Sequence, residues 1–204
     1  MAIPKRQQTN KLRIIGGRLR GTKLWFPSVV GLRPTPDRVR ETLFNWLQSD
    51  IGNARCLDLF AGSGALGLES ISRGASFVVM VEQNKKAADC IKAHLERLHI
   101  DNAVIHHLDA LKYLRMENTP SGFDIVYLDP PYQLNVLPQC ITLLEQQQWL
   151  TPTAKIYIEA PSHVSIELPP NWLLHRHKKE GQVGYHLAIR VLSDSKSHKR
   201  PEIL

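Results

Sequence analysis

Asp129-Pro130-Pro131-Tyr132 is the stretch of this sequence best equipped for chemistry. A proline has no backbone N–H and a fixed φ, so two in succession give a rigid turn without donors. What the turn can offer is carbonyl oxygens and the Asp129 carboxylate. An exocyclic amino group, with two hydrogens to donate, suits such an acceptor-only cradle. Tyr132 adds a ring face on which a flipped base can stack.

A second group lies upstream, in Asp58-Leu59-Phe60-Ala61-Gly62-Ser63-Gly64-Ala65-Leu66-Gly67. It follows an apolar strand and opens a helix, the context in which glycines let a backbone approach a nucleotide. An acid at the strand end would repel a pyrophosphate but would suit a cationic amino group. That favours S-adenosylmethionine over a dinucleotide, and makes an NAD-dependent oxidoreductase a poor fit. Glu82 stands 20 residues after Gly62, where an acid can accept from both ribose hydroxyls. Asp109 is open to two readings, an acceptor for an adenine amino group or the N-cap of a short helix. The cofactor-binding set expected from this pattern is Asp58, Phe60, Ala61, Gly62, Gly64, Glu82, Gln83, Asp109 and Ala110.

These groups need a scaffold that brings strand ends together. From Arg55 onward, short apolar runs alternate with helical periodicity. Strands are expected at Cys56–Phe60, Phe77–Val81, Ala103–His106, Phe123–Leu128 and Lys155–Glu159, with helices over 64–73, 85–99, 110–115 and 135–148. Repeated βα units imply an α/β fold with a mostly parallel sheet and helices on both faces, and ligands at the carboxyl ends of the strands. Leu173–Lys179 and Tyr185–Val191 read as an antiparallel hairpin. Upstream, Arg13–Pro27 reads as a strand–turn–strand unit. Residues 36–48 read as an amphipathic helix with Thr35 as N-cap and Pro36 at its first position.

The charge is unevenly placed. The 204 residues carry a net +7, with 26 Lys and Arg against 19 Asp and Glu. Residues 1–40 hold ten basic residues against the single acid Asp37, a net of +9, and the remainder is −2. A polyanion, nucleic acid first, is the partner such asymmetry suggests. Arg13, Arg18, Arg20, Lys23, Arg33, Arg38 and Arg40 are its expected contacts. The chain divides in expectation into a basic extension (1–48), a catalytic domain (49–192) and a disordered tail (193–204).

No run approaches the roughly 20 apolar residues of a membrane span, and Met1–Asn10 lacks the apolar segment of a signal peptide. Cys56, Cys90 and Cys140 form neither a Cys-x-x-Cys pair nor an even set, which points to a reducing cytoplasm rather than a disulfide scaffold. No metal site is expected. His175-x-His177 lacks a third ligand, Cys56 and His106-His107 read as structural, and the four tryptophans are too scattered to form a stacking platform.

Asp58-x-x-Ala61-Gly62-x-Gly64 followed by Asp129-Pro130-Pro131-Tyr132 resembles the amino-methyltransferases that use S-adenosylmethionine. Arg13-Ile14-Ile15-Gly16-Gly17, Arg33-Pro34-Thr35-Pro36-Asp37-Arg38-Val39-Arg40-Glu41-Thr42-Leu43-Phe44-Asn45 and Gly67-Leu68-Glu69 extend the likeness. Over roughly residues 12–190 the sequence is similar to the bacterial ribosomal RNA small subunit methyltransferase D family. The resemblance implies a class I methyltransferase sheet of seven strands, the last antiparallel. It also implies methylation of guanine N2 in 16S ribosomal RNA within an assembling small subunit, by a cytoplasmic monomer with Asp129, Pro130, Pro131 and Tyr132 in the catalytic role. The Asp-Pro-Pro-Tyr motif also occurs in adenine-N6 DNA methylases, which leaves that activity as an alternative. A ribosome-assembly RNA-binding protein that has lost activity is another.

Overall fold

The computed structural model describes residues 9–29, 35–116, 121–131 and 135–192. Alternating apolar residues put β1 (Thr9–Arg13) and β2 (Lys23–Pro27) into an antiparallel pair with Leu12, Leu24 and Phe26 turned inward. The helix α1 (Asp37–Trp46) follows. Then come β3 (Arg55–Asp58), α2 (Ala65–Ser72), β4 (Phe77–Glu82), α3 (Lys85–Arg97), β5 (Ala103–His107), α4 (Ala110–Leu114), β6 (Phe123–Leu128), α5 (Leu137–Gln146), β7 (Leu150–Pro161), β8 (Trp172–Glu180) and β9 (Val183–Arg190). The helices expected from periodicity form with ends drawn in by at most two residues.

The seven-stranded sheet has the order β5-β4-β3-β6-β7-β9-β8. Strands β3 to β7 run parallel, and β9 runs antiparallel to both β7 and β8. After β3 the chain builds outward through β4 and β5, then returns to place β6 on the other side of β3. The order therefore reverses between β3 and β6, and that switch point is where such sheets open a crevice. Strand β7 is longer than the expected Lys155–Glu159. A register irregularity against β6 absorbs the extra residues between Leu150 and Lys155.

Two apolar layers sandwich the sheet. Leu57, Val79, Val126 and Ile156 pack toward α4 and α5, with Trp149 stacked on Phe123. Cys56, Val78, Ile125 and Tyr157 pack toward α1, α2 and α3, and Cys56 is fully buried. The second layer also takes in Leu12, Ile14, Leu24 and Phe26. The segment expected as a separate basic extension is thus continuous in its core with the sheet, and no break in packing falls at residue 48.

What ties it down is Glu69, a charged residue with no exposed surface in the middle of α2. Its Oε1 accepts from Gly16 N at 2.8 Å and Arg73 Nε at 2.8 Å, and its Oε2 from Ile15 N at 2.9 Å and Arg40 Nη1 at 3.3 Å. Arg40 is equally buried, and also donates to Arg13 O at 2.9 Å, Thr35 O at 3.2 Å and Asp37 Oδ1 at 2.6 Å. The expectation that Arg40 contacts RNA is corrected: its guanidinium is spent inside the core, where a phosphate cannot reach it. Gly17, at φ +71°, lies so close to the Ser72 carbonyl that a Cβ there would overlap it. Only glycine lets the turn dock against the end of α2.

Candidate functional site

The carboxyl ends of β3, β4, β6 and β7 surround a cleft of about 1150 Å³. It is lined by five carboxylates, Asp58, Glu82, Asp109, Asp129 and Glu159, and by no Lys, Arg or His among the described residues. An acidic cleft in a chain of net charge +7 selects for a cationic or donor-rich occupant and against phosphates.

Asp58 is buried at the end of β3, where its Oδ2 accepts from Gly67 N at 3.1 Å, and the Phe60 backbone also donates to it. Burial, and then the neighbouring Asp129 charge, push it up to about 7. Between them the turn bends through Gly62 (φ +53°) and Gly64 (φ +78°), the latter at the N-cap of α2. Glu82 closes the turn from β4. Its Oε2 accepts from Gly62 N at 2.8 Å and its Oε1 from Asn84 N at 2.6 Å, and desolvation raises its pKa. Asp109 Oδ1 accepts from Lys112 N at 3.0 Å, so it caps α4 while also lining the cleft. Of the two readings open for Asp109, the capping one has its hydrogen bond in place.

Across the cleft, Asp129 follows β6, and Pro130 and Pro131 continue the lining. Thr35 was expected to cap α1. Instead Pro36 occupies the cap position without a side-chain bond, and the buried Thr35 donates to Asp129. Desolvation raises Asp129, and Thr35 partly offsets it. Glu159, at the end of β7, was not among the expected site residues. It lines the cleft, accepts from Tyr157 Oη at 2.8 Å, and is raised by burial and by Asp129. The rule that ligands sit at carboxyl ends of strands would have found it. Phe60, Ala61, Gln83 and Ala110 also line the cleft, while Gly64 lies behind the turn against Leu68 and Ile91. Tyr132 and Arg33 fall outside the described residues, as does the 193–204 tail.

The basic residues gather elsewhere. Lys11, Arg13 and Lys23 are exposed on the outer face of the β1–β2 pair, and Arg18 and Arg20 on its turn. Beside them Arg97 lies over the Trp25 ring at 4.5 Å and donates to Lys23 O at 3.1 Å. The turn packs at the far end of α2 from the cleft. Eight helical residues separate the two, about 12 Å at 1.5 Å per residue. Arg38, on the first turn of α1, is 75% exposed and faces Glu180 at 3.7 Å.

Strand order, the glycine turn after β3 and the acids ending β3 and β4 together define a class I S-adenosylmethionine-dependent methyltransferase fold. Residues 12–189 match the family described as conserved hypothetical protein 95, and the chain belongs to that family. Over 191 residues it is 44% identical to ribosomal RNA small subunit methyltransferase D of Escherichia coli K12, across 93% of this chain and 96% of that protein. A solved structure described as a putative methyltransferase from Escherichia coli superposes with a TM-score of 0.81 at 44% identity, covering 89% of this chain and 99% of the other. The same fold recurs at 16% identity in a putative methyltransferase solved with S-adenosylhomocysteine, with a TM-score of 0.63 over 83% of this chain and 54% of that one.

Proposed function

We propose that the protein transfers a methyl group from S-adenosylmethionine to the N2 amino group of a guanine in 16S ribosomal RNA of the small subunit. The observation that carries this reading is the Asp129–Pro130–Pro131 turn, whose two prolines supply no N–H, and which faces the glycine turn across one acidic cleft. The name of the Escherichia coli relative supports the ribosomal substrate.

In this reading Asp58 holds the cofactor's ammonium group and Glu82 its ribose hydroxyls. The bound cofactor supplies an electrophilic methyl on a sulfonium. A guanine amino group is a poor nucleophile because its lone pair is delocalised into the ring. Hydrogen bonds from its two N–H groups to the Asp129 carboxylate and the Pro130 carbonyl favour a pyramidal nitrogen and aim the lone pair at the methyl. Catalysis then rests on positioning and on fixed acceptors more than on acid–base strength. The methylated nitrogen is strongly acidic and gives its extra proton to Asp129 or to water. The outer face of β1–β2 holds RNA phosphates, and the enzyme works as a cytoplasmic monomer on an assembling particle.

Incubation with labelled S-adenosylmethionine and undermethylated small subunits, then digestion of the RNA, tests the proposal. N2-methylguanosine is the expected product. N6-methyladenine, or no transfer, would overturn it.

A further inference from the structure

Of the five carboxylates in the cleft, Asp58, Glu82 and Asp129 have roles in the proposed reaction and Asp109 caps α4, which leaves Glu159. Asp129 and Glu159 each follow the last registered pair of their strands, Leu128 with Ile158. Neighbouring strands lie about 4.8 Å apart, so the two side chains enter the cleft side by side. Glu159 is 5% exposed and has no cation against it among the described residues. The Tyr157 hydroxyl, two residues back on the same face, donates to Oε1 at 2.8 Å. That bond fixes the rotamer and leaves the other oxygen to a ligand.

A flipped base is read along its Watson–Crick edge. Guanine offers two adjacent donors there, N1–H and the N2 amino group, whereas adenine sets an N1 lone pair beside its N6 amino group. Two acceptors side by side match the first pattern and oppose the second. We propose that Glu159 is the residue that selects guanine, its free carboxyl oxygen accepting N1–H while Asp129 and the Pro130 carbonyl hold the amino group that is methylated. Ionised Glu159 would meet the adenine N1 lone pair with nothing to bond. Burial and Asp129 raise its carboxyl to about 8, and the protonated acid would donate to that lone pair. Discrimination against adenine should therefore grow as pH rises through about 8. This inference rests on the guanine-N2 reading and gives that reading its selectivity.

The test begins by mapping the nucleotide that the wild-type protein methylates in undermethylated small subunits. Subunits are then reconstituted with 2-aminopurine at that position, a base that keeps the N2 amino group, replaces N1–H by a lone pair and lacks the 6-oxo oxygen. Wild type and Glu159→Ala are compared on both substrates. Wild type is expected to lose about 100-fold or more in kcat/KM on 2-aminopurine, since a site built for a donor rejects a base that lacks it. Glu159→Ala should lose a similar factor on guanine while binding S-adenosylhomocysteine as wild type does. On 2-aminopurine the variant should lose little more than wild type does, because the hydrogen bond from N1–H to Glu159 is already gone. Losses that multiply would overturn the inference. So would a wild-type protein that methylates 2-aminopurine as fast as guanine, a result that needs no variant to fold. A product other than N2-methylguanosine in the mapping step would remove the guanine reading itself, before any variant is made.

Discussion

The Glu82 carboxylate accepts a hydrogen bond from the Gly62 amide at 2.8 Å, which fastens the end of β4 to the glycine turn after β3. With Asn84 N on its other oxygen, Glu82 shapes the cleft as well as lining it.

Glu82→Ala should therefore weaken S-adenosylhomocysteine binding about 10- to 100-fold, the loss of roughly 1.5–3 kcal/mol of charge-assisted hydrogen bonding. It should also lower the thermal midpoint of the free protein. Glu82→Gln, which keeps one acceptor oxygen, should lie between. Calorimetric titration and a melting curve check both effects, and binding unchanged in Glu82→Ala would contradict the ribose role.

Asp129→Ala should separate chemistry from cofactor binding. Removing one fixed acceptor is expected to cost on the order of 100- to 1,000-fold in kcat, with S-adenosylhomocysteine affinity nearly intact. If affinity fell as far as the rate, the proposed role of Asp129 would be wrong.

The pH dependence follows from Asp58. Its folded-state value of about 7 stands against an ordinary 3.8, so the folded protein holds a proton that the unfolded chain has released. That contribution to stability is complete below about pH 4 and lost as pH rises through about 7. A bound ammonium group reverses the preference, because it favours the carboxylate. S-Adenosylhomocysteine should accordingly bind more tightly at pH 7.5 than at pH 6, by about three- to tenfold, with proton release visible as a buffer-dependent heat. Glu82 is raised in the same direction, and the ribose hydroxyls it accepts from favour its carboxylate too, so it reinforces the trend. Proton uptake on binding would refute it.

The buried ionic cluster makes a separate prediction. Glu69→Ala strands two guanidinium groups and two backbone amides, and should cost about 3–5 kcal/mol in unfolding free energy. Arg40→Met, which fills the space without charge, should cost less and leave the salt dependence of RNA binding unchanged. Alanines at Arg18, Arg20 and Lys23 together should instead flatten that dependence, by about 0.7–0.9 in logarithmic slope for each phosphate no longer neutralised. Deleting residues 1–30 would confound the measurement, since Leu12, Ile14, Leu24 and Phe26 would leave the core.

The parallel sheet was legible because apolar runs bounded by glycines and acids mark buried strands, and Asp58, Glu82 and Asp129 announce themselves at the ends of such runs. Glu159 was legible by the same rule, but no flanking motif drew attention to it. Arg40 was misleading for a physical reason. Charge counted along a chain cannot register that Glu69, 29 positions away, is folded against it without water between them. Thr35 sits before a proline, a pattern that suits a helix cap equally well, and only the return of β6 brings Asp129 into its reach.

The docking of Gly16 and Gly17 on α2 also bears on how the molecule is made. Gly16 reaches across 53 positions to Glu69, and Trp25 across 69 to His94. A ribosome delivers the N-terminal strands long before it delivers the helices that receive them. During that interval Leu12, Leu24 and Phe26 have no surface to cover them, and closing so long a loop comes late. Strands β1 and β2 must therefore wait for α2 and α3 before they can take their place.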